Sequence, residues 1–192
     1  MLSPDRVLKF WLDDLSPADW YNATDALDAQ IRDEFLPTLQ AAKDGKCGFW
    51  LTYPSGALAY IILTDQFPRN IYRGQAAAFA TDHMALAVAK AAIHAGWDMK
   101  IDEPARQFFY LPLMHSESLT DQERCVRLMK ERMPQTGAQN LLHARVHREV
   151  IREFGRFPYR NSALSRSSSS QEADFVAQGG YQKILGSLSA SA

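Results

Sequence analysis

Two segments of this chain share a spelling that crowds arginine, amide and aromatic groups together. Residues 63–74 read Leu-Thr-Asp-Gln-Phe-Pro-Arg-Asn-Ile-Tyr-Arg-Gly, and residues 154–161 read Phe-Gly-Arg-Phe-Pro-Tyr-Arg-Asn. Each places Phe-Pro ahead of an arginine and an asparagine. Arg69, Arg73, Arg156 and Arg160 are therefore the first candidates for chemistry. A guanidinium keeps its charge at any physiological pH, and its planar fork grips a carboxylate or phosphate through paired hydrogen bonds. Asp65, Gln66, Asn70 and Asn161 lie beside these arginines, and a third segment, residues 112–117, adds His115 and Glu117. We expect the three segments to wall one polar pocket, lined also by His147, that binds a small anionic molecule.

The same residues support two other readings. In one, Asp65 and Glu117 pair with the arginines and tie helix ends together, because a buried charge without a partner is costly. The chain is then a helical scaffold for protein–protein interaction, and self-association is compatible with that reading. In the other, His115 and Glu117 form an acid–base pair working near neutral pH, and the chain is an enzyme.

Several classes are excluded or disfavoured. His143 and His147 are spaced i, i+4, as two metal ligands on one helix face would be, but Ala144, Arg145 and Val146 stand between them. The catalytic glutamate of a His-Glu-x-x-His site is missing and the neighbouring arginine repels a cation, so no metal is expected. No glycine-rich phosphate loop or Gly-x-Ser-x-Gly elbow occurs, and no cofactor is expected. Lys and Arg number 21 against 22 Asp and Glu, for a net charge of -1. That balance argues against a nucleic-acid surface. Arg145, Arg148, Arg152 and Arg156 do cluster, but Glu149 and Glu153 interleave them and read as a charge-balanced face. Cys47 and Cys125 form no Cys-x-x-Cys pair and read as free thiols of a reducing compartment. The N-terminus lacks the pattern of a signal peptide. The most apolar stretch, residues 76–95, carries Asp82, His83 and Lys90, so no membrane span is expected. Together these place the protein in the cytoplasm as a soluble chain.

The elements that position the candidates are helical. With 192 residues, 46% of them hydrophobic, the chain has the size and composition of one domain with one sizeable core. Ser3-Pro4 starts a helix bearing Val7, Phe10 and Trp11. Leu27, Ile31, Phe35 and Leu39 mark an amphipathic helix over 24–43, with Pro37 inside it. Residues 57–63 are apolar on every side, as in a buried helix, and Pro68 is expected to end or kink that helix near Phe67. An alanine-rich helix is expected over 74–96 and another around Phe108, ended by Pro112. Thr120-x-x-Glu123 reads as a capping box, and Ala138 to Phe154 as a helix stopped by Gly155. A short helix from Ser170 to Gln178 follows, within a loop-rich C-terminal segment spanning 162–192. No alternating strand pattern and no regular repeat appear. The class is all-α, an antiparallel helical bundle.

The segments 63–74, 110–117 and 154–161, in this order, closely resemble the bacterial "domain of unknown function 924" family. The resemblance extends from Val7 to the region of Glu172. It implies an all-helical fold of tetratricopeptide-like helix pairs, and it implies no activity. The sequence departs from the family at two positions. Tyr159 stands where the family usually has histidine, which weakens any scheme needing a histidine there. Ser165, within Leu164-Ser165-Arg166, stands where glycine is usual, which implies a turn that does not strictly depend on glycine.

Overall fold

The computed structural model describes residues 1–22 and 24–190. Among these residues the regular structure is helical, with no strand. The chain forms two compact units, Met1–Pro112 and Leu113–Ala192. Each has its own core. The sequence around residue 112 gives no sign of a boundary, because Tyr110-Leu111-Pro112-Leu113-Met114 is apolar rather than linker-like.

In the first unit, helix α1, Pro4–Leu8, starts as expected. The Ser3 hydroxyl accepts the Arg6 N–H at 3.3 Å, and Pro4 occupies the first turn, where no donor is needed. The helix continues as a π-turn over Lys9–Asp14 that buries Phe10 and Trp11. Helix α2, Asp25–Lys43, is capped by Thr24 and runs through Pro37. Its inward stripe is Ile31, Phe35 and Leu39, with Asp28 on the same face. Phe35 packs on Phe10 and Phe67 with ring centroids 4.9 and 4.6 Å apart, and Trp11 meets Phe67 and Phe108 edge-on. This aromatic cluster is the core of the unit.

Helix α3, Pro54–Ile61, is buried from Gly56 onward. Gly56 is required by close approach: a Cβ there would lie 2.3 Å from the Trp50 carbonyl. The helix does not end near Phe67. It widens into a π-turn, Ile62–Gln66, and resumes as helix α4, Phe67–Ile71. Phe67 donates to the carbonyl of Ile62, five residues back. Pro68 then has no N–H for the carbonyl of Thr64, four residues back. The Thr81 hydroxyl donates to that carbonyl at 2.6 Å instead. A side chain from elsewhere in the unit supplies the bond that proline removes.

The alanine-rich stretch is likewise not one helix. A 3₁₀ turn, Ala76–Phe79, precedes helix α5, Asp82–His94. By length and composition alone, residues 76–94 could cross a membrane. The break at Ala80 and Thr81 leaves 13 helical residues, roughly 20 Å against the ~30 Å of a bilayer core. Around Phe108 the helix is a 3₁₀ turn, Ala105–Phe109. Pro112 does not end it but lies in the first turn of the short helix α6, Leu111–Met114, where its missing donor costs nothing.

In the second unit, helix α7, Leu119–Arg132, starts two residues earlier than the capping-box spelling implies, and Ser118 makes no side-chain cap. Glu123 is drawn away from that box towards Arg148 and Arg152 of helix α8, Ala138–Phe154. Glu123 lies near the start of α7 and these arginines near the end of α8, so the two helices are antiparallel. Gly155 closes α8 at φ 69°, in the left-handed region that favours glycine. A 3₁₀ turn, Pro158–Arg160, and the serine-rich loop follow. The segment expected to be loop-rich then holds two helices. Helix α9, Ser170–Ala177, has a full capping box between Ser169 and Glu172. The left-handed Gly179 separates it from helix α10, Gly180–Ser189. Val150, Ile151 and Phe157 form the core, with Phe154, Phe175 and Ile184 packed against it.

Ser165 has φ 53°, the one left-handed non-glycine residue among those described. The turn thus keeps the conformation that glycine adopts freely and holds it with serine. Ser165→Gly should raise stability by about 0.5–1 kcal/mol, by relieving the left-handed strain net of glycine's greater unfolded entropy. Chemical denaturation of the two proteins checks this, and an unchanged or lower midpoint would refute it.

Candidate functional site

The two similarly spelled segments fall in different units, so each set of candidates has its own surroundings. Asp65, Gln66, Arg69, Asn70 and Arg73 belong to the first unit. His115, Glu117, His147, Arg156, Arg160 and Asn161 belong to the second.

In the first unit Asp65 is fully buried at the end of the apolar helix. The Gln66 amide donates to one of its oxygens, and Arg69 reaches the other at 3.4 Å. Arg69 also grips both oxygens of Asp82, at 3.0 and 3.2 Å, and donates to the Ala78 carbonyl at 3.1 Å. One guanidinium thus joins the π-turn to the start of α5. Asn70 and Arg73 turn to a different acid. Asn70 donates to Asp28 at 2.8 Å, and Arg73 grips the same carboxylate through Nε and a terminal nitrogen at 2.8 and 2.9 Å. The Arg73 guanidinium, followed by the Asn70 amide, holds the Asp28 carboxyl below its usual range. Arg32 of α2 donates to the Ile71 carbonyl at 2.7 Å and so completes the end of α4.

The second unit repeats the device. Arg156 clasps Glu172 with a fork of 2.6 and 2.7 Å. That guanidinium, with the Ser169 N–H, takes the Glu172 carboxyl down to about 2. Arg166 clasps Glu117 at 2.7 and 2.9 Å, and the Phe157 N–H donates to the same carboxylate at 2.8 Å. Burial pushes Glu117 up, but Arg166, the Phe157 amide and the charge of Arg160 outweigh it and leave the carboxyl below its usual range. A carboxylate so held is a poor proton acceptor, which counts against acid–base work by His115 and Glu117. Arg160 stacks over the Phe157 ring at 4.4 Å and donates to the His115 carbonyl at 3.1 Å. Asn161 is buried and donates to the Ser168 hydroxyl at 3.1 Å.

His147 sits among aromatic rings, 5.4 Å from Phe157 and 5.1 Å from Tyr181. Its Nδ1 is 2.8 Å from the His143 carbonyl, an acceptor only, so Nδ1 carries the hydrogen and Nε2 keeps a lone pair. Burial takes its pKa down to about 3. His143, also lowered by burial, bonds the Tyr181 hydroxyl and so fastens α10 to α8. Among the described residues no group of three His, Cys, Asp or Glu side chains could hold a metal ion. Burial raises both thiols, Cys47 and Cys125, and neither is poised as a nucleophile.

Sequence reasoning missed Asp28, Asp82, Arg166, Glu172 and Tyr181. Signals existed for some of them. Asp28 lies on the inward stripe of α2, where a carboxylate needs a partner. Asp82 interrupts an alanine run. Tyr181, Ile184, Leu185 and Leu188 have the spacing of an amphipathic helix.

An all-helical protein in which three of the four motif arginines, Arg69, Arg73 and Arg156, are clasped by carboxylates of their own unit is the class these features define. The chain belongs to the DUF924 family of bacterial proteins of unknown function, which it matches over residues 7–180. It is similar to the solved structure of a protein of unknown function from Agrobacterium tumefaciens. The two are 35% identical with a TM-score of 0.85, over 91% of this chain and 97% of that one. No curated protein matches the chain.

The buried histidines make stability pH-dependent. An unfolded chain takes up histidine protons near pH 6.5, whereas the folded protein holds His147 neutral to about 3 and His143 to below its ordinary value. Between those limits the unfolded chain binds the extra protons, so stability is full above pH 6.5 and falls as pH drops. The slope for His147 is roughly 1 kcal/mol per pH unit, below the ideal value because the residue keeps partial solvent contact. Glu117, Asp28 and Glu172 add a loss of the same sign, but only as pH falls below about 4.5. Melting curves between pH 6.5 and 5 should therefore show a shallower slope for His147→Gln than for the parent. Equal slopes would remove His147 from this account.

Proposed function

We propose that the protein is a helical interaction scaffold of the cytoplasm, built from tetratricopeptide-like helix pairs, in which the arginine motifs lock elements rather than bind a ligand. The observation that carries this reading is the occupancy of the guanidinium forks. Arg69, Arg73 and Arg156 each meet a carboxylate within 3.5 Å. An incoming anion would have to displace a carboxylate that is already desolvated and doubly bonded, and would gain little by the exchange. The buried free thiols suit a reducing compartment. The antiparallel pair of α7 and α8 suits a scaffold whose helix faces do the binding.

Arg69→Ala tests the reading because it takes the guanidinium away from Asp65, which is fully buried. The expected cost is about 3 kcal/mol of unfolding free energy. Millimolar phosphate, sulfate and small dicarboxylates should shift the melting temperature of the parent no more than sodium chloride of equal ionic strength. A phosphate-dependent rise that disappears in a folded, near-parental Arg69→Ala protein would overturn the scaffold reading in favour of an anion site.

A further inference from the structure

Within the second unit, α8, α9 and α10 enclose an open groove of about 840 Å³. Its floor is apolar: Phe175 of α9 with Ile184 and Leu188 of α10, all only partly covered. Its walls are acidic: Glu149 and Glu153 from α8, and Asp174 from α9. Glu149 is held by Arg148 and Arg152 at 2.8 and 3.1 Å. Glu153 and Asp174 are exposed, and among the described residues neither side chain has a hydrogen-bond or ion-pair partner. Lys183 is the one cation of the lining, and its ammonium donates to Gln178 at 2.8 Å.

We propose that this groove docks a basic amphipathic helix of a partner protein, its apolar face on Phe175, Ile184 and Leu188 and its lysines or arginines against Glu153 and Asp174. The proposal rests on the scaffold reading and gives that scaffold a binding face. Charge complementarity selects the partner's sign, because two uncompensated carboxylates, one on α8 and one on α9, line the groove beside its apolar floor. The apolar floor selects a helix over a small cation, since a polyamine satisfies acids without covering hydrophobic surface. The size agrees: two turns of helix, roughly 10 Å across and 11 Å long, fill about the volume of the groove.

The test is a fluorescence-anisotropy titration of the full chain with a labelled Leu/Lys peptide of about 14 residues, roughly four helical turns, with its leucines on one face. Two controls share its length: a peptide of the same composition with the leucines scattered round the helix, and one with glutamate for lysine. The Leu/Lys amphipathic peptide should bind. Affinity should fall by about tenfold for the Glu153→Lys/Asp174→Lys protein, which alters only exposed side chains. It should fall similarly for Leu188→Asp and for the scattered peptide, and the glutamate peptide should not bind. No binding, or binding indifferent to Glu153 and Asp174, overturns the proposal. So does equal binding of the scattered peptide with spermine competing through the same two acids, which would assign the groove to small cations. Either failure leaves the scaffold reading standing, because that reading is tested through Arg69 and anions.

Discussion

The structure depends on the cost of leaving a buried charge uncompensated. Asp65 stands at the end of a helix that is apolar all round and has no access to water. Gln66 and Arg69 reach it and offset its charge. Arg69 in turn needs Asp82, and Asp82 is brought there by a chain of backbone necessities. Pro68 cannot donate to Thr64, so Thr81 does, and that bond sets Asp82 beside the guanidinium. A proline of the kind that ends helices is thus part of what connects α4 to α5.

The second unit solves the same problem with different groups. Glu172 serves twice, completing the capping box of α9 and receiving the fork of Arg156. Glu117 likewise accepts the Phe157 amide and the fork of Arg166. The loop between these contacts must turn sharply to bring Arg166 back, and Ser165 takes the left-handed conformation that the turn demands. Both forks have the bidentate geometry that makes arginine poorly replaceable by lysine. Arg166→Lys would keep the charge and lose the planar match to Glu117.

Several helices and helix ends were legible because they rest on local chemistry. Ser3-Pro4, Thr24, the period of Ile31, Phe35 and Leu39, and Gly155 each act within a few residues of their own position. What failed were inferences that ran local rules where a distant partner decides. Pro68 was expected to end its helix, but Thr81, 13 positions on in sequence, supplies the missing donor. The Thr120-x-x-Glu123 box does not form because α7 starts at Leu119, with Ser118 at the N-cap, and the Glu123 carboxylate meets Arg148 and Arg152 of α8 instead. The left-handed Gly179 stops α9 as a glycine past a helix end does, but the chain turns straight into α10 within the segment expected to be loop-rich. The candidate arginines were found by spelling, but their partners Asp28, Asp82 and Glu172 lie 45, 13 and 16 positions away from them. No local pattern joins them.

The net charge carried more information than the motif. With 21 basic and 22 acidic side chains, a compact chain has a carboxylate available for nearly every guanidinium. Burying either sign alone is prohibitive, so the fold that buries some must bury them as pairs. An arginine cluster in such a chain is therefore weak grounds for an anion site. The more informative groups are those that break the pairing. Glu153 of α8 and Asp174 of α9, lining one groove with an apolar floor, are such groups in the second unit. Exposed acids on a helix cost little and signify little. Exposed acids bordering uncovered Phe175, Ile184 and Leu188 carry both halves of a recognition surface, the hydrophobic area that supplies affinity and the charge that sets orientation.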